Sequence, residues 1–600
     1  MTQMDAGSSL RVALHSWAAQ DPDRPALGSG PDHPMSRGAL AGLLTGAEHQ
    51  LRQLGLRPQD RVGVLMPQGL EGAIVTLQVA CACSLAPLRP DLPSSQWSAV
   101  LQPLAPSALV LSPGVAPELA EAANSLAIPL VEPSMLLNAR EIAAPPDRRS
   151  DPIAHTAQSV VIATSGSTGE PRWVVHRQAT LLKGCLAMAR TLRLSQADRS
   201  LLALPLHHTH GLVSALLMPL ISGGSVSVIE EFSADAVLRL LAAQPISWIT
   251  LPPAMHRALL EQQQLTPSAP LHSLRFLRSG AISMPPHLRD GLEDAFGVPL
   301  IEAYGMSECP HICSNPLQSP RAGSVGRPVV EELAILGEDG APLPPGQWGE
   351  VAVRGAPLMA GYLADPTAAG DFTAMSWRNG WFATGDQGRR DAEGYLYLRG
   401  RLGEMINRGG LKVMPAVVDA ALLSHPAVHE AACFAVPHPT LGEDLAAAVV
   451  LRAGARLGEQ DLRAHAFSAL SPHEVPSRIL FVEELPRGAT GKVPRIGLAE
   501  QLAGALRAPD EPAVGELEEL VATVIGDVLQ LKPPARDANF FQLGGDSLSG
   551  TRVMTRLSAQ LGLDLPPTLL FNAPTVRSLA ERLDHLIDQA LARLEAGAGT

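Results

Sequence analysis

Lysine is nearly missing from this chain. Of 46 basic residues only four are lysine: Lys183, Lys412, Lys492 and Lys532. Arginine carries the positive charge almost everywhere else, so each retained lysine invites a local explanation. Aromatic side chains are also scarce, at 4% of 600 residues against 46% hydrophobic residues, so the cores must be built mainly from Leu, Val and Ala. The six cysteines (Cys81, Cys83, Cys185, Cys309, Cys313 and Cys433) are too few for a disulfide scaffold and fit a reducing, cytoplasmic setting. Positive charge is in deficit, with a formal net charge of −13. That balance argues against a nucleic-acid or anionic-membrane partner, although a local basic pocket for an anionic substrate survives it. No long apolar run is present. The most apolar stretch, LVSALLMPLISGGSVSVI (212–229), is broken by Pro219 and Gly223-Gly224. It reads as a buried helix, a turn and a strand, with no membrane span. The opening MTQMDAGSSLRVALHSW has an early acid and no apolar core, so no secretory signal is expected.

At ~150 residues per domain the length suggests about four folding units. From about residue 10 to 400, apolar runs such as VGVLMP (62–67), ALVLSP (108–113), SVVIATSG (159–166) and SVSVIEE (225–231) alternate with helical patterns such as SADAVLRLLAAQ (233–244). This predicts a large layered α/β core over 1–400 with a largely parallel sheet. The pattern restarts over 401–503 as a smaller α+β unit, with AVVDAALLSHP as a helix and EAACFAVP and AAAVVLRA as strands. A Pro-containing charged stretch marks a linker at 504–514. Over 515–590 the pattern is helical, with Leu517, Leu520, Val521, Val524 and Val528 on one face, which predicts a small four-helix bundle.

Two short motifs pose chemical questions. ATSGSTGEPR (163–172) follows a strand, and its small residues and hydroxyls suit a phosphate cradle. It is not a Walker A loop, because Gly169 is followed by Glu170 where G-K-[ST] is needed. By itself it is equally an ordinary Ser/Gly surface loop. LGGDSL (543–548) offers Ser547 as a hydrolase nucleophile, as the attachment point of a covalent arm, or as a helix cap.

The motif TSGSTGEPR is followed in order by LPLHHTHGL (204–212), EAYGMSE (302–308), WFATGD (381–386), GRLGEMINRGGLKVMP (400–415) and LPRGATGKVPR (485–495). Six motifs in this order resemble the adenylate-forming superfamily of acyl-CoA synthetases and nonribosomal peptide synthetase adenylation domains, over residues from about 10 to 500. NFFQLGGDSLSGTRVMTRL (539–557) resembles the thiolation (peptidyl or acyl carrier) motif. The resemblance implies an adenylation core over 1–400, a small mobile subdomain over 401–503 and a carrier domain over 515–590. It implies ATP, Mg²⁺ and 4′-phosphopantetheine as cofactors.

Residue by residue, the resemblance implies that Thr164, Ser165, Gly166, Ser167, Thr168 and Gly169 handle phosphates, with Arg172 where lysine is usual. Lys492 would bridge the α-phosphate and the substrate carboxylate. Glu308 would accompany Mg²⁺, a hard cation suited to carboxylate and phosphate oxygens. Ser307 would offer a hydroxyl to the α-phosphate. Tyr304 would stack on adenine opposite Gly280 and Ala281. Asp386 and Arg401 would hold the ribose. His208 would sit at the mouth of the acid pocket, while His207 and His210 are left unassigned. Metal binding by these histidines, or by the run Cys309-Pro-His311-Ile-Cys313, lacks further ligands at suitable spacing, and a pocket wall is the preferred reading.

The subdomain would pivot at Gly403, where Asp or Lys is usual, withdrawing Lys492 and bringing in Gly409 and Gly410 to pass the pantetheine arm. Ser547, with Asp546 beside it, would carry that arm at a helix N-terminus. The stretch LPLHHTHGL has no acid to pair with a substrate ammonium, and Arg278 lies near the adenine motif. The expected substrate is therefore a carboxylic acid without an α-amino group, and the local pattern, with SNP at 314–316, resembles synthetases for small acids such as oxalate or malonate. The expected role is a loading didomain of nonribosomal peptide or polyketide-type secondary metabolism. Its partners would be a phosphopantetheinyl transferase and downstream synthetase or acyltransferase domains. The rival readings are an acyl-CoA ligase releasing a small acyl-CoA, a scaffold with a dead adenylation domain, and a serine hydrolase.

Overall fold

The computed structural model describes residues 9–30, 34–90, 92, 94–139, 158–164, 172–265, 273–280, 284–363, 377–438, 441–487, 493–506, 511–529, 531–541, 543, 545, 547–566 and 568–597. The chain forms two compact units, Met1–Leu398 and Arg399–Thr600.

The first unit contains a nine-stranded sheet. Its centre is parallel, in the order Leu300–Met306, Phe276–Ser279, Trp248–Leu251, Arg199–Leu202, Ser225–Val228, Pro25–Gly28. Antiparallel strands close both edges. Parallel strands are covered on both faces, which is why they read as short continuous apolar runs. Side chains still alternate between the faces. Trp248, Phe276 and Ile301 enter one core, while Ile249, Leu277 and Leu300 enter another. At the same period of two, Thr250 and Arg278 follow on the Trp248/Phe276 face, as neighbours in register.

A seven-stranded sheet lies in the same unit, with Ser159–Ala163, Ser84–Pro87, Arg61–Leu65, Ala108–Leu111 and Leu130–Val131 parallel. The helix expected over 233–244 spans Ala234–Ala243 and buries Val237, Leu238 and Leu241. Ser233 caps it, its Oγ accepting the Ala236 N–H at 3.1 Å. The apolar stretch at 212–229 is buried as expected, but its helix is unusual. His210–Leu217 is a wide π-helical segment, continued by Met218–Ile221. The Met218 N–H reaches back five residues to the Val213 carbonyl, and the Ala215 carbonyl accepts the Ser200 hydroxyl at 3.4 Å.

The parallel alternation expected up to residue 400 ends earlier. Glu332–Leu336, Gly349–Arg354, Trp381–Arg390 and Trp377–Arg378 form an antiparallel sheet, with Leu396–Arg401 added to Trp381–Arg390. The connection 337–348 holds Gly337, Gly340, Pro342, Pro344, Pro345 and Gly346. It is too rich in turn residues for the crossover helix a parallel pair needs.

In the second unit, Ile406–Arg408, Leu411–Val413, Val428–His438, Gly442–Leu451 and Arg478–Phe481 make a five-stranded sheet, accompanied by helices Pro415–Leu423 and Glu459–Ala469. Four helices follow: Glu516–Leu529, Ser547–Leu561, Thr568–Asn572 and Val576–Gly597. Val521, Ile525, Phe540, Leu557, Val576, Leu579 and Leu583 fill their shared core. Phe540 packs so tightly that a Cβ on Gly545 would stand 2.3 Å from its ring, so only glycine fits two residues before Ser547. Phe540→Ala should therefore cost about 3–5 kcal/mol. Urea unfolding combined with limited proteolysis should show residues 515–590 cleaved early while the first unit keeps its transition. Unchanged protection of 515–590 would contradict this packing.

Candidate active site

In open α/β sheets, ligands gather outside the carboxyl ends of the parallel strands. Tyr304, Ser307 and Glu308 lie at that end, where Leu300–Met306 turns back into Cys309–Ser314. Glu308 is 9% exposed. Its carboxylate accepts the Tyr362 hydroxyl at 2.8 Å, and its backbone carbonyl accepts the Met359 N–H at 2.8 Å. Burial and the neighbouring Glu308 charge push the Tyr362 phenol up, so it stays protonated and donates. The Arg172 guanidinium lies 5.9 Å from the centre of the Tyr362 ring.

Arg172 also closes the Ser/Gly loop. Thr164 N–H donates to the Arg172 carbonyl at 2.7 Å, and Arg172 N–H donates to Thr164 Oγ1 at 3.3 Å. These bonds pinch the base of a hairpin between Ser159–Ala163 and Trp173–Arg177. On that second strand, His176 Nε2 donates to the Ser307 carbonyl at 2.6 Å. Burial holds the His176 imidazole down at about 4, so it is neutral. The hairpin and the Ser307-Glu308 turn are thus joined by a buried hydrogen bond.

Asp386 sits in Trp381–Arg390 and is 8% exposed. Its backbone N–H donates to Thr384 Oγ1 at 3.2 Å, and its Oδ2 accepts the Tyr304 hydroxyl at 2.5 Å. Burial and then the Asp386 charge push the Tyr304 phenol far up, which keeps it a donor. Tyr304, expected as a stacking face, is also the hydrogen-bond partner of the residue expected to hold the ribose.

A second cluster stands on the face of the nine-stranded sheet that carries Trp248 and Phe276. Arg278 is 4% exposed. Its Nη1 donates to Thr250 Oγ1 at 2.8 Å, and Thr250 Oγ1 lies 2.7 Å from His210 Nε2. Arg278 Nη1 also lies 3.5 Å from His210 Nε2, and a guanidinium can only donate, so Nε2 is the acceptor and the Thr250 hydroxyl turns its proton toward it. Burial first, and then the Arg278 charge, hold His210 well below its usual value, consistent with a neutral ring. His256 Nε2 donates to the Arg278 carbonyl at 3.0 Å, and His311 Nε2 pairs with Ser214 Oγ at 3.1 Å. Both are buried and held down, at about 4 and about 3. Burial brings the Arg278 guanidinium down to about 10, still charged at neutral pH. Gly280 continues from this strand; a Cβ there would lie 3.8 Å from His210 Cε1.

Of the histidine trio, His210 therefore faces Arg278, while the His207 and His208 rings lie 4.2 Å apart, centre to centre, on the turn before the helix. Thr250, His256 and Tyr362 had no signal in the sequence, since each stands outside the recognisable motifs; Thr384 lies within WFATGD but carries no assigned role there. The run Cys309-Pro-His311-Ile-Cys313 is weighed in the sequence as a metal cluster, with a pocket wall as the preferred reading. Burial pushes both thiols far up, which disfavours the thiolate a metal needs.

Ser165, Gly166, Ser167, Thr168, Gly169, Ala281 and Lys492 lie outside the described residues. In the second unit, Arg401 ends the strand Leu396–Arg401 and is exposed. Gly403 is the middle residue of the 3₁₀ turn Leu402–Glu404, and a Cβ there would meet nothing within 4 Å. Its backbone is in an ordinary region, so this conformation does not itself require glycine. Gly409 and Gly410 differ: their φ values are +59° and +91°, and a Cβ on Gly409 would stand 2.7 Å from Leu441. The Arg408 guanidinium fixes that loop through the Asp444 carboxylate at 2.8 Å and the His473 carbonyl at 2.9 Å. Ser547 is the first residue of the helix Ser547–Leu561.

Among the described residues, no three His, Cys, Asp or Glu side chains gather into a metal cluster. A magnesium ion bound through one or two carboxylates and nucleotide phosphates requires none, and the buried carboxylate of Glu308 suits it. No helix among the described residues is long and apolar enough to cross a membrane.

Comparison with known proteins identifies the domains of the chain. The model for AMP-binding enzymes matches residues 14–363, that for the AMP-binding enzyme C-terminal domain matches 417–492, and that for the phosphopantetheine attachment site matches 519–583. An oxalate–CoA ligase of Arabidopsis thaliana is 34% identical over 504 residues, covering 81% of this chain and 97% of its own length. A sulfoacetate–CoA ligase of Cupriavidus necator is 35% identical over 512 residues, covering 83% and 98%. The crystal structure of ATP-bound MatB from Rhodopseudomonas palustris matches with a TM-score of 0.75 at 26% identity, covering 83% of this chain and 99% of that one. O-succinylbenzoate coenzyme A synthetase of Bacillus subtilis, in complex with ATP and magnesium ion, matches with a TM-score of 0.69 at 27% identity, covering 81% and 98%. Fold, site and matches define an ATP-dependent, adenylate-forming acid–thiol ligase with a phosphopantetheine carrier domain. The chain belongs to the AMP-binding enzyme family.

The buried imidazoles make stability depend on pH. His176, His210, His256 and His311 are all held below the ordinary 6.5, two of them at about 4 and one at about 3. Their unfolded forms take up protons below 6.5 that the folded forms refuse, so stability is lost as pH falls from about 6.5 toward 4. Glu302, pushed up to about 7 by burial, opposes this, as does Asp419, which burial also raises. The melting temperature should drop between pH 7 and pH 5, and His176→Gln should flatten the slope. A melting temperature that is level or rises over that interval would contradict the assignment of neutral imidazoles.

Proposed function

We propose that this enzyme activates a carboxylic acid lacking an α-amino group and loads it onto its own carrier domain, in a reducing cytoplasm. In the first step a carboxylate oxygen bonds to the α-phosphorus of ATP and pyrophosphate leaves. In the second a thiol bonds to the acyl carbon and AMP leaves. The observation that carries this reading is the presence, in one chain, of the Glu308–Tyr362 and Asp386–Tyr304 pairs upstream and a matched phosphopantetheine site with Ser547 downstream. A tethered arm meets the activated acid at high effective concentration.

The roles are those the family resemblance implies, with the chemistry each residue type supports. Two anions must meet, so Lys492 supplies positive charge where the carboxylate joins the α-phosphate. Glu308 would hold a magnesium ion, which would supply charge neutralisation at the phosphates. Thr164, Ser165, Gly166, Ser167, Thr168 and Gly169 hold phosphates by backbone and hydroxyl donors, and Ser307 adds another hydroxyl. Tyr304, Gly280 and Ala281 take the adenine, while Asp386 and Arg401 take the ribose. His208 borders the acid. Gly403 is the pivot between the half-reactions, and Gly409 and Gly410 give the arm passage close to the backbone. A phosphopantetheinyl transferase acts first on Ser547, and a downstream synthetase or acyltransferase domain of secondary metabolism consumes the thioester. A second reading, release as a free acyl-CoA, is favoured by relatives named as CoA ligases.

ATP–pyrophosphate exchange over a panel of acids tests the first step, and exchange with none would overturn it. Lys492→Ala should lower exchange at least about 100-fold, in line with loss of one charge-stabilising group. Intact mass after treatment with phosphopantetheinyl transferase, CoA, ATP and acid should show Ser547 loaded, and Ser547→Ala should abolish loading while leaving exchange intact. Unchanged mass with normal acyl-CoA output would establish the second reading. Gly403→Ala should stabilise the fold by about 0.4–1 kcal/mol, because its backbone already tolerates a side chain. It should slow thiolation relative to exchange; an unchanged ratio would remove Gly403 as the pivot.

A further inference from the structure

Arg278 is the buried cation that the adenylation chemistry above leaves without a task. It stands at the carboxyl end of the central strand Phe276–Ser279, 4% exposed. Among the described residues it forms no ion pair, and its Nε has no hydrogen-bond partner. Removing one partner from a buried ion pair typically costs several kcal/mol, and the same penalty attaches to a cation buried with no anion at all. The neighbours do not relieve it. Thr250 accepts one N–H, and His210, His256 and His311 are neutral rings. A purely structural donor to Thr250 would need no permanent charge. The arrangement is that of a site completed by an anion from outside the chain.

Resting on the adenylation reading, we propose that Arg278 is the counter-charge for a second acidic group on the substrate, so the acid activated here is a short dianion, either a dicarboxylate or a sulfo-acid. One carboxylate reacts with ATP while the other anionic group pairs with the Arg278 guanidinium. The neutral His210, turned toward Arg278 through Thr250, keeps a competing positive charge out of the pocket and holds the guanidinium in place. Both candidate acids share the anion that a guanidinium binds through paired N–H groups. An ammonium-bearing substrate is disfavoured by like charge.

The test compares acids of matched size. Pyrophosphate exchange by the full-length wild-type enzyme is measured with malonate, sulfoacetate and propionate. The expected kcat/KM for at least one dianion exceeds that for propionate by about 100-fold or more, and which of the two prevails identifies the second group. Arg278→Leu should bring that ratio close to one, chiefly through KM, and Arg278→Lys should leave an intermediate ratio. Wild-type enzyme that treats propionate as well as the dianions overturns the inference and leaves adenylation standing. A uniform loss for all three acids in Arg278→Leu reduces Arg278 to a structural residue. Exchange with no acid overturns the adenylation reading itself. If Arg278→Leu does not fold, the wild-type ratio and Arg278→Lys decide the matter.

Discussion

Adjacent parallel strands end side by side, so whatever the last residues of each strand carry is forced into one neighbourhood. The nine-stranded sheet uses this constraint throughout. Thr250 and Arg278 are in register on neighbouring strands, and Tyr304 and Glu308 follow at the end of the next. The apolar positions before them, Trp248, Phe276 and Ile301, pay the cost of ordering the strands by entering a continuous core. Polar groups at the strand ends are thereby held without loops of their own, on rigid elements.

What the site does electrostatically follows from dryness. Four imidazoles are neutral and two phenols are fixed as donors, all mainly because burial disfavours a charge that water would otherwise support. Tyr304 and Tyr362 each spend that fixed proton on a carboxylate, Asp386 and Glu308 respectively. Two acids expected to handle ribose and metal are therefore pre-oriented by phenols that come from different sheets. Arg278 is the exception, a cation kept in the same dry surroundings.

Much of the fold could be read from local pattern. Strands at 62, 108, 159 and 225, the capped helix at 234 and the apolar face of the helix at 516 all announce themselves through period, β-branched content or caps. The antiparallel sheet after residue 331 could not be read in the same way. Its strands resemble those of the parallel sheets, and only the turn-rich connection at 337–348 separates the two cases. The site was legible where function rests on a contiguous motif, as for Tyr304-Gly305-Met306-Ser307-Glu308 and Thr384-Gly385-Asp386. It was illegible where a partner arrives from far along the chain. Tyr362 lies 54 residues from Glu308, and Thr250 lies 40 from His210. Nothing local marks either as polar machinery.

The order of motifs, the scarcity of lysine and the cysteine-poor, acidic composition by themselves determined the class of chemistry and the succession of a large α/β core, a small subdomain and a helical carrier. Such properties are written along the chain and need no third dimension. Only the tertiary structure decided that Tyr304 serves Asp386, that His210 and not its neighbours faces Arg278, and that Arg278 stands buried without a carboxylate among the described residues. Burial and pairing are properties of surfaces brought together from distant segments. A linear pattern can name a charged residue, but only packing decides whether water or a ligand must answer it.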